Sequence, residues 1–145
     1  MMVSKLEQLE GIAIIDERTK LIAKHFLPGA LTLVLPVDPR LDKSYNNGLE
    51  TIAIRIPDEE FVLSLIDELD TPLLVTSANQ SGAPTALKYE DVLEQLPNID
   101  GIVLGKCRAL QASTIVDCTK EDLKILREGP ISLEELVCVI ENKSK

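Results

Sequence analysis

The spacing of apolar positions along the chain predicts several amphipathic helices. Ser4 and Glu7 have the spacing of a capping box, and Ser132 and Glu135 repeat it, so a helix is expected to begin at each place. The predicted helices are one from Ser4, one from Asp16 to about Phe26 that Pro28-Gly29 ends, one from Pro57-Asp58 to about Leu69, one from Tyr89 to Leu96, and a closing helix over LEELVCVIE before a frayed NKSK tail.

Short apolar or alternating runs between these helices predict β-strands. In TIAIRI the alternation places Thr51, Ala53 and Arg55 on one face and three isoleucines on the other. Helices and strands mix without a repeat or an obvious linker, so the predicted class is α/β or α+β in one domain, residues 1–145. The other predicted strands are LTLVLPV (31–37), PLLVT (72–76), DGIVLG (100–105), STIVDC (113–118) and LKILR (123–127).

Composition indicates a soluble cytoplasmic protein. The chain has 145 residues, 45% of them hydrophobic, which is enough to bury a core, and no run is long enough to predict a membrane span. The start MMVSKLEQLEG resembles no signal peptide. Cys107, Cys118 and Cys138 are odd in number and widely spaced, so we expect reduced thiols and no zinc or other protein-bound metal.

The charge balance argues against non-specific binding to nucleic acid. Fifteen Lys and Arg stand against 24 Asp and Glu, giving a formal net charge of −9. Any RNA-binding surface must therefore be a local basic patch, for which the candidates are Arg40, Lys43, Arg55, Lys106, Arg108 and Arg127.

Groups suited to a nucleotide site occur where strands are expected to end. Arg55 and Arg127 could neutralise phosphate, and the segments TSAN (76–79) and AST (112–114) supply hydroxyls and a carboxamide. Gly82 and Gly129 let the backbone approach a ligand closely. Each feature also has a structural interpretation: the arginines as solvated residues or ion-pair partners, and TSANQSG as a turn whose side chains bond their own backbone.

Three other candidates for chemistry are set aside. His25, the only histidine, is expected to cap a helix end rather than to catalyse. GIVLGKC (101–107) is one residue short between its glycines for a phosphate-binding P-loop and has cysteine in place of the hydroxyl residue. Cys107 has no evident general base beside it in the sequence.

Six segments, in order, resemble the YrdC-type threonylcarbamoyl-adenylate synthase family. They are PGALTLVL, ETIAIRIPD, PLLVTSANQSGAPT, IDGIVLG, STIVD and ILREGPIS, and they cover nearly all of the chain after Phe26. The resemblance implies a twisted mixed β-sheet flanked by helices. It also implies a nucleotidyltransferase that converts L-threonine, bicarbonate and ATP into threonylcarbamoyl-AMP and pyrophosphate, for modification of the adenosine beside the anticodon in certain tRNAs.

The resemblance assigns roles to particular residues. Ser77 and Asn79 match the signature serine and asparagine and are the expected catalytic pair. ATP would arrive with Mg²⁺ as a substrate, with no tightly bound cofactor and no protein metal site. The expected nucleotide- and substrate-binding residues are Thr32, Thr51, Arg55, Ser77, Asn79, Gly82, Ser113, Thr114 and Arg127.

The resemblance begins part-way through the family's pattern. Relatives carry roughly sixty further residues, including a lysine-x-arginine pair, before the first matching segment. We therefore expect a domain incomplete at its N-terminus, weak or absent synthase activity from this chain alone, and an uncovered sheet that favours a homodimer or a partner chain. The alternative function is a non-catalytic module that binds nucleotide, tRNA or double-stranded RNA, or another protein.

Overall fold

Helices and strands alternate along the chain in the computed structural model, which describes residues 1–105 and 111–142. The helix from Asp16 ends at Phe26 as predicted, and Asp16 caps it by accepting a hydrogen bond from Thr19 N. The described elements, in order, are α1 (Glu17–Phe26), β1 (Leu31–Pro36), β2 (Thr51–Ile54), α2 (Glu60–Leu69), α3 (Tyr89–Gln95), β3 (Thr114–Asp117), β4 (Lys124–Arg127) and α4 (Leu133–Glu141).

The four described strands form one mixed sheet in the order β2-β1-β3-β4. β1 pairs with β3 in parallel, and both outer pairs are antiparallel. The parallel pair requires a long crossover, which the intervening segment supplies. The predicted α/β class is confirmed.

One face of the sheet forms the core. Alternate residues of β1 (Leu31, Leu33 and Leu35) are buried, and Ile54 and Val116 on the neighbouring strands join them. The TIAIRI alternation is confirmed, because Ile52, Ile54 and Ile56 are buried while Thr51 and Ala53 are exposed and Arg55 is half-buried. The opposite face is therefore free to carry polar groups, and it is called the open face below.

The chain divides into two compact units. The first comprises Met1–Leu74 and Ala112–Lys145 and contains the sheet with α1, α2 and α4. The second, Val75–Gln111, contains α3 and the TSANQSG segment. The prediction of a single domain over residues 1–145 stays a prediction.

The predicted helix at Ser4 is wrong. Only a short 3-10 turn, Leu6–Leu9, forms there, and no side chain caps it. The Ser4 amide donates to Gln8 Oε1 (2.9 Å), and the hydroxyl lies 2.5 Å from Asp67 Oδ1 on α2. The amide and hydroxyl of Ser4 are therefore bonded to Gln8 and Asp67 instead of forming a capping box. At α4, by contrast, Ser132 and Glu135 form both bonds of the capping box, as predicted.

Two predicted strands are also absent from the described residues. PLLVT contributes a single bridge, Leu73 with Met2, and the side chains of Leu74 and Val75 are 59% and 46% exposed. DGIVLG has no strand pairing, and Val103 and Leu104 are 62% and 71% exposed. Apolar composition suits a strand, but a strand also needs a partner edge, which the sequence pattern does not reveal.

The described thiols differ in environment. Cys118 is buried, and burial raises the pKa of its thiol to about 11, which keeps it protonated and unreactive at neutral pH. Cys138 is exposed and free, whereas Cys107 lies outside the described residues, as does most of the NKSK tail. Within residues 1–105 and 111–142, no helix is long and apolar enough to cross a membrane and no group of three metal-ligating side chains occurs.

Candidate functional site

Arg55 follows β2 and points to the open face of the sheet. Continuing the Leu33–Ile54 register by one residue places Arg55 opposite Thr32 of β1. Its Nε donates to Gly29 O at 3.0 Å, so the Pro28-Gly29 turn that ends α1 also holds the guanidinium. Val3 N donates to Arg55 O (3.1 Å), which fixes the backbone at this position.

Arg127, the last residue of β4, is held by Ser113. Arg127 Nε and Nη2 donate to Ser113 O at 3.1 and 2.8 Å, and Nη2 also donates to Ser113 Oγ at 3.0 Å. These bonds use one side of the guanidinium. Nη1 donates no hydrogen bond to any of the described residues, so that edge of the fork is available to a ligand.

A hydroxyl pair lies beside Arg127. Thr32 Oγ1 and Ser113 Oγ are 2.8 Å apart, with Ser113 only 5% exposed and Thr32 half-buried. The register places Thr32 and Arg127 in one row across the sheet, because Thr32 lies opposite Ile115, and Ile115 lies opposite Arg127. The sheet thus brings Arg55, Thr32, Ser113 and Arg127 together, and we call these four residues the arginine–hydroxyl cluster.

The electrostatics of the cluster favour an anion. The pKa of Arg55 is lowered, first by burial and second by the positive charge of Arg127. The ion pairs found in the described part of the chain involve Arg18, Lys20, Arg40 and Lys88, not Arg55 or Arg127. Two cations without a carboxylate, beside hydroxyl donors, form an oxyanion-binding arrangement.

Two predicted binding residues of the same unit lie apart from the cluster. Thr51 is exposed at the opposite end of β2, four residues or about 13 Å along the strand from Arg55. Thr114 is fully buried, and its hydroxyl donates to Ile131 O (2.8 Å) and accepts from Ile131 N (3.0 Å). That hydroxyl is therefore occupied by the backbone, and the binding roles of both threonines stay predictions.

The TSANQSG segment lies in the second unit and forms a braced loop. Asn79 Nδ2 donates to Gln80 O (2.9 Å) and Ala83 O (3.0 Å), which braces the loop, and the catalytic roles of Ser77 and Asn79 stay predictions. Asn79 Oδ1 is buried and without a partner in the described residues, which leaves one acceptor available. Ser77 is exposed, and Gly82 has φ +82°, a conformation that glycine adopts most readily.

Sequence reasoning missed two residues that position these groups. Gln95 on α3 accepts from Gln80 N (3.1 Å) and donates to Pro84 O (3.3 Å), and no motif signals that role. Gly29 O accepts a hydrogen bond from Arg55 Nε, and the position of Gly29 in a turn directly before β1 was the sequence signal that could have indicated this role. His25 lies in the last turn of α1 with its ring 4.7 Å from that of Phe26, consistent with a structural role.

Comparison with known proteins defines the family. The family model for Sua5, YciO and YrdC proteins, described as telomere recombination, matches residues 1–129. The matched range includes all four described strands of the mixed sheet, and the chain belongs to the Sua5–YciO–YrdC family. The resemblance found in the six sequence segments is confirmed.

Curated relatives and a solved structure show the same similarity. The chain is 42% identical over 141 residues to threonylcarbamoyl-AMP synthase of Bacillus subtilis (strain 168), covering 95% of this chain and 40% of the relative. It is 38% identical over 144 residues to that of Pyrococcus abyssi, covering 95% and 42%. The P. abyssi Sua5 structure complexed with L-threonine superposes with a TM-score of 0.87 at 37% identity, over 96% of this chain and 42% of that one. The chain thus spans about two fifths of these relatives.

Proposed function

We propose that this chain takes part in threonylcarbamoyl-AMP synthesis from L-threonine, bicarbonate and ATP. The observation that carries the proposal is the arginine–hydroxyl cluster, in which two arginines share one sheet face with a hydroxyl pair and have no carboxylate partner among the described residues. The names of the curated relatives and the L-threonine in the P. abyssi structure support this function over the alternative of a non-catalytic module.

The proposed chemistry places two anions in contact. L-Threonine and bicarbonate give a carbamate and water; a carbamate oxygen then bonds to the α-phosphorus of ATP while the bond to the pyrophosphate oxygen breaks. Because carbamate, carboxylate and phosphates repel each other, the main tasks of the protein are to neutralise charge and to align the reactants. Arg55 and Arg127 supply the cationic forks, and Mg²⁺ accompanies ATP and offsets charge on the leaving pyrophosphate.

The other predicted residues complete the proposal. Ser77, Asn79 and Gly82 are assigned to nucleotide binding by resemblance, and within the braced loop Asn79 Oδ1, which has no partner among the described residues, offers an acceptor. Thr51 and Thr114 are assigned to substrate binding by resemblance alone. The product would pass to a tRNA-modifying reaction in the cytoplasm.

Calorimetric titration tests the binding step. L-Threonine and MgATP are titrated separately into the protein and into Arg55→Ala and Arg127→Ala. We expect each substitution to weaken the binding of at least one ligand by about tenfold to a hundredfold, because a charge-assisted hydrogen bond contributes about 1.5 to 3 kcal/mol. Arg40→Ala is the matched control, since Arg40 is already paired with Asp38 at 2.8 Å.

Pyrophosphate release tests the activity itself. Release from MgATP should require both L-threonine and bicarbonate. Equal weakening of binding by Arg40→Ala and Arg127→Ala would remove the cluster from the proposal. Binding of MgATP without any threonine-dependent release would favour the nucleotide-binding module instead of the synthase.

A further inference from the structure

Thr32 is linked to Arg127 through the hydroxyl of Ser113. Its hydroxyl lies 2.8 Å from Ser113 Oγ, which in turn accepts from Arg127 Nη2 at 3.0 Å. The three groups form a chain that starts on β1, passes through the residue before β3 and ends on β4. The chain crosses the centre of the sheet, so its geometry is set by strand pairing.

The direction of each hydrogen bond follows from counting protons. A guanidinium only donates, so Arg127 uses a lone pair of Ser113 Oγ. If Thr32 donated to Ser113 as well, the Ser113 proton would need another acceptor. Ser113 is only 5% exposed, so water is not freely available to accept that proton. If Ser113 donates to Thr32, the buried Ser113 hydroxyl has a partner for its proton and for a lone pair, and the proton without a partner belongs to Thr32, which is only half-buried.

We propose that Thr32 is a positioning residue that fixes Arg127 for oxyanion binding by holding the Ser113 hydroxyl in place. With its proton held by Thr32, Ser113 keeps a lone pair aimed at Nη2, and Nη1 stays free for the ligand. Without the Thr32 hydroxyl, the Ser113 proton must find another acceptor, and its rotation removes one of the three bonds that orient the guanidinium. The inference deepens the proposed function, on which its ligand assignment rests.

The ligand group is an oxyanion, from one of two sources. A carboxylate of L-threonine and a phosphate of ATP both suit a guanidinium fork with a fixed orientation. Titrating L-threonine and MgATP separately distinguishes them.

Nuclear magnetic resonance tests the positioning without any ligand. The Arg127 Nε–H signal is identified by its loss in Arg127→Lys, and its hydrogen exchange rate is measured in the protein, Thr32→Val and Thr32→Ser. We expect severalfold faster exchange in Thr32→Val, and a rate close to that of the unsubstituted protein in Thr32→Ser, which restores the hydroxyl. Circular dichroism confirms that each variant is folded, and Ser113→Ala provides a second way to break the same chain.

A double-mutant cycle tests the effect on binding. Thr32→Val should weaken binding of the preferred oxyanion by about fivefold, which corresponds to the loss of one hydrogen bond. In the Arg127→Lys background, which keeps the charge but lacks the fork, Thr32→Val should have no further effect. Thr71→Val, at an exposed threonine outside the cluster, is the matched control and should bind as the unsubstituted protein does.

The outcomes separate this inference from the proposed function. Unchanged Arg127 Nε–H exchange in both Thr32→Val and Ser113→Ala would overturn the inference, whatever the binding data show. Equal losses from Thr32→Val in both backgrounds would also overturn it, because Thr32 would then act on the ligand directly. If neither L-threonine nor MgATP binds the unsubstituted protein, the proposed function fails, and the exchange rates still decide the role of Thr32.

Discussion

At the scale of single residues, Arg55 and Arg127, which have no carboxylate partner in the part of the chain that the structure describes, carry an energetic cost that a ligand can remove. Burial and the charge of Arg127 both oppose the protonated form of Arg55, which nevertheless remains charged at neutral pH. An oxyanion bound beside a guanidinium group offsets this repulsion with an attractive contact. The same residues would be poor choices for stability alone, which is why their proximity indicates a binding role.

Anion-dependent stabilisation should therefore depend on Arg55. Because a ligand that binds only the folded state raises the free energy of unfolding, pyrophosphate should raise the melting temperature of the protein. Arg55→Gln should lose most of that increase, whereas Arg40→Gln should keep it. Differential scanning fluorimetry across a pyrophosphate series measures both, and identical increases in the two variants would contradict a site at Arg55.

The helix cap at Asp16 gives a prediction about pH. Burial tends to raise the pKa of Asp16, but hydrogen bonds from Thr19 and the charge of Arg18 outweigh it, and the pKa falls below its ordinary value of 3.8. A lowered pKa in the folded state means that the carboxylate stabilises the protein above the unfolded pKa and that this contribution is lost as the pH falls through the folded value.

We expect Asp16→Ala to reduce the free energy of unfolding by about 1 kcal/mol at neutral pH and by less in acid below the folded pKa. Urea denaturation of both proteins at the two pH values measures the difference. Asp16→Asn is the control, because asparagine caps without titrating. A loss that stays the same in acid would show that the carboxylate charge has no part in the cap.

At the scale of elements, the loop after β4 is pressed against the start of β3. A Cβ on Gly129 would lie about 2.7 Å from Ser113 C and Thr114 Cα, closer than real atoms approach. Gly129→Ala should therefore lower the free energy of unfolding by about 1 to 3 kcal/mol, the usual cost of overpacking. It should also weaken anion binding, because Ser113 positions Arg127.

Gly101→Ala is the matched control, since a Cβ there meets no atom within 4 Å among the described residues. Urea denaturation and L-threonine or MgATP titration of both variants make the comparison. Equal stability of the two variants would show that the loop moves away from β3 at little cost.

The same elements show how far sequence reasoning extends. The alternation in TIAIRI placed Arg55 on the open face because burial of one strand face is a local, periodic property. Ser4 and Ser132 share one capping spacing, yet only Ser132 caps a helix, because Ser4 contacts Asp67, sixty-three residues away. The Ser113–Arg127 bonds likewise depend on strand pairing, so the sequence indicated both residues as candidates but not that one holds the other.

At the scale of the whole molecule, the net charge of −9 restricts the partners of the cluster. Of the six basic residues that could form an RNA-binding patch, Arg40 is paired with Asp38, and Lys106 and Arg108 lie outside the described residues. Of the other three, Lys43 is exposed, and Arg55 and Arg127 lie on one sheet face without a carboxylate partner in the described part of the chain. Two local positive charges attract a small anion that contacts them directly, because such an anion lies within the screening length. A long polyanion would also approach the negatively charged remainder of the protein surface, which repels it.

Binding to double-stranded RNA should therefore be weak and only mildly dependent on salt. Each neutralised phosphate contributes about −0.9 to the slope of log K against log salt, so two arginines give a slope of about −2. Fluorescence anisotropy of a labelled duplex of about 16 base pairs, a length that spans two minor grooves, measures this slope from 50 to 200 mM salt. A loss of affinity of about tenfold between 50 and 200 mM salt agrees with two phosphate contacts. A loss of a thousandfold would require six or more phosphate contacts and would show that a basic surface beyond the arginine–hydroxyl cluster binds RNA.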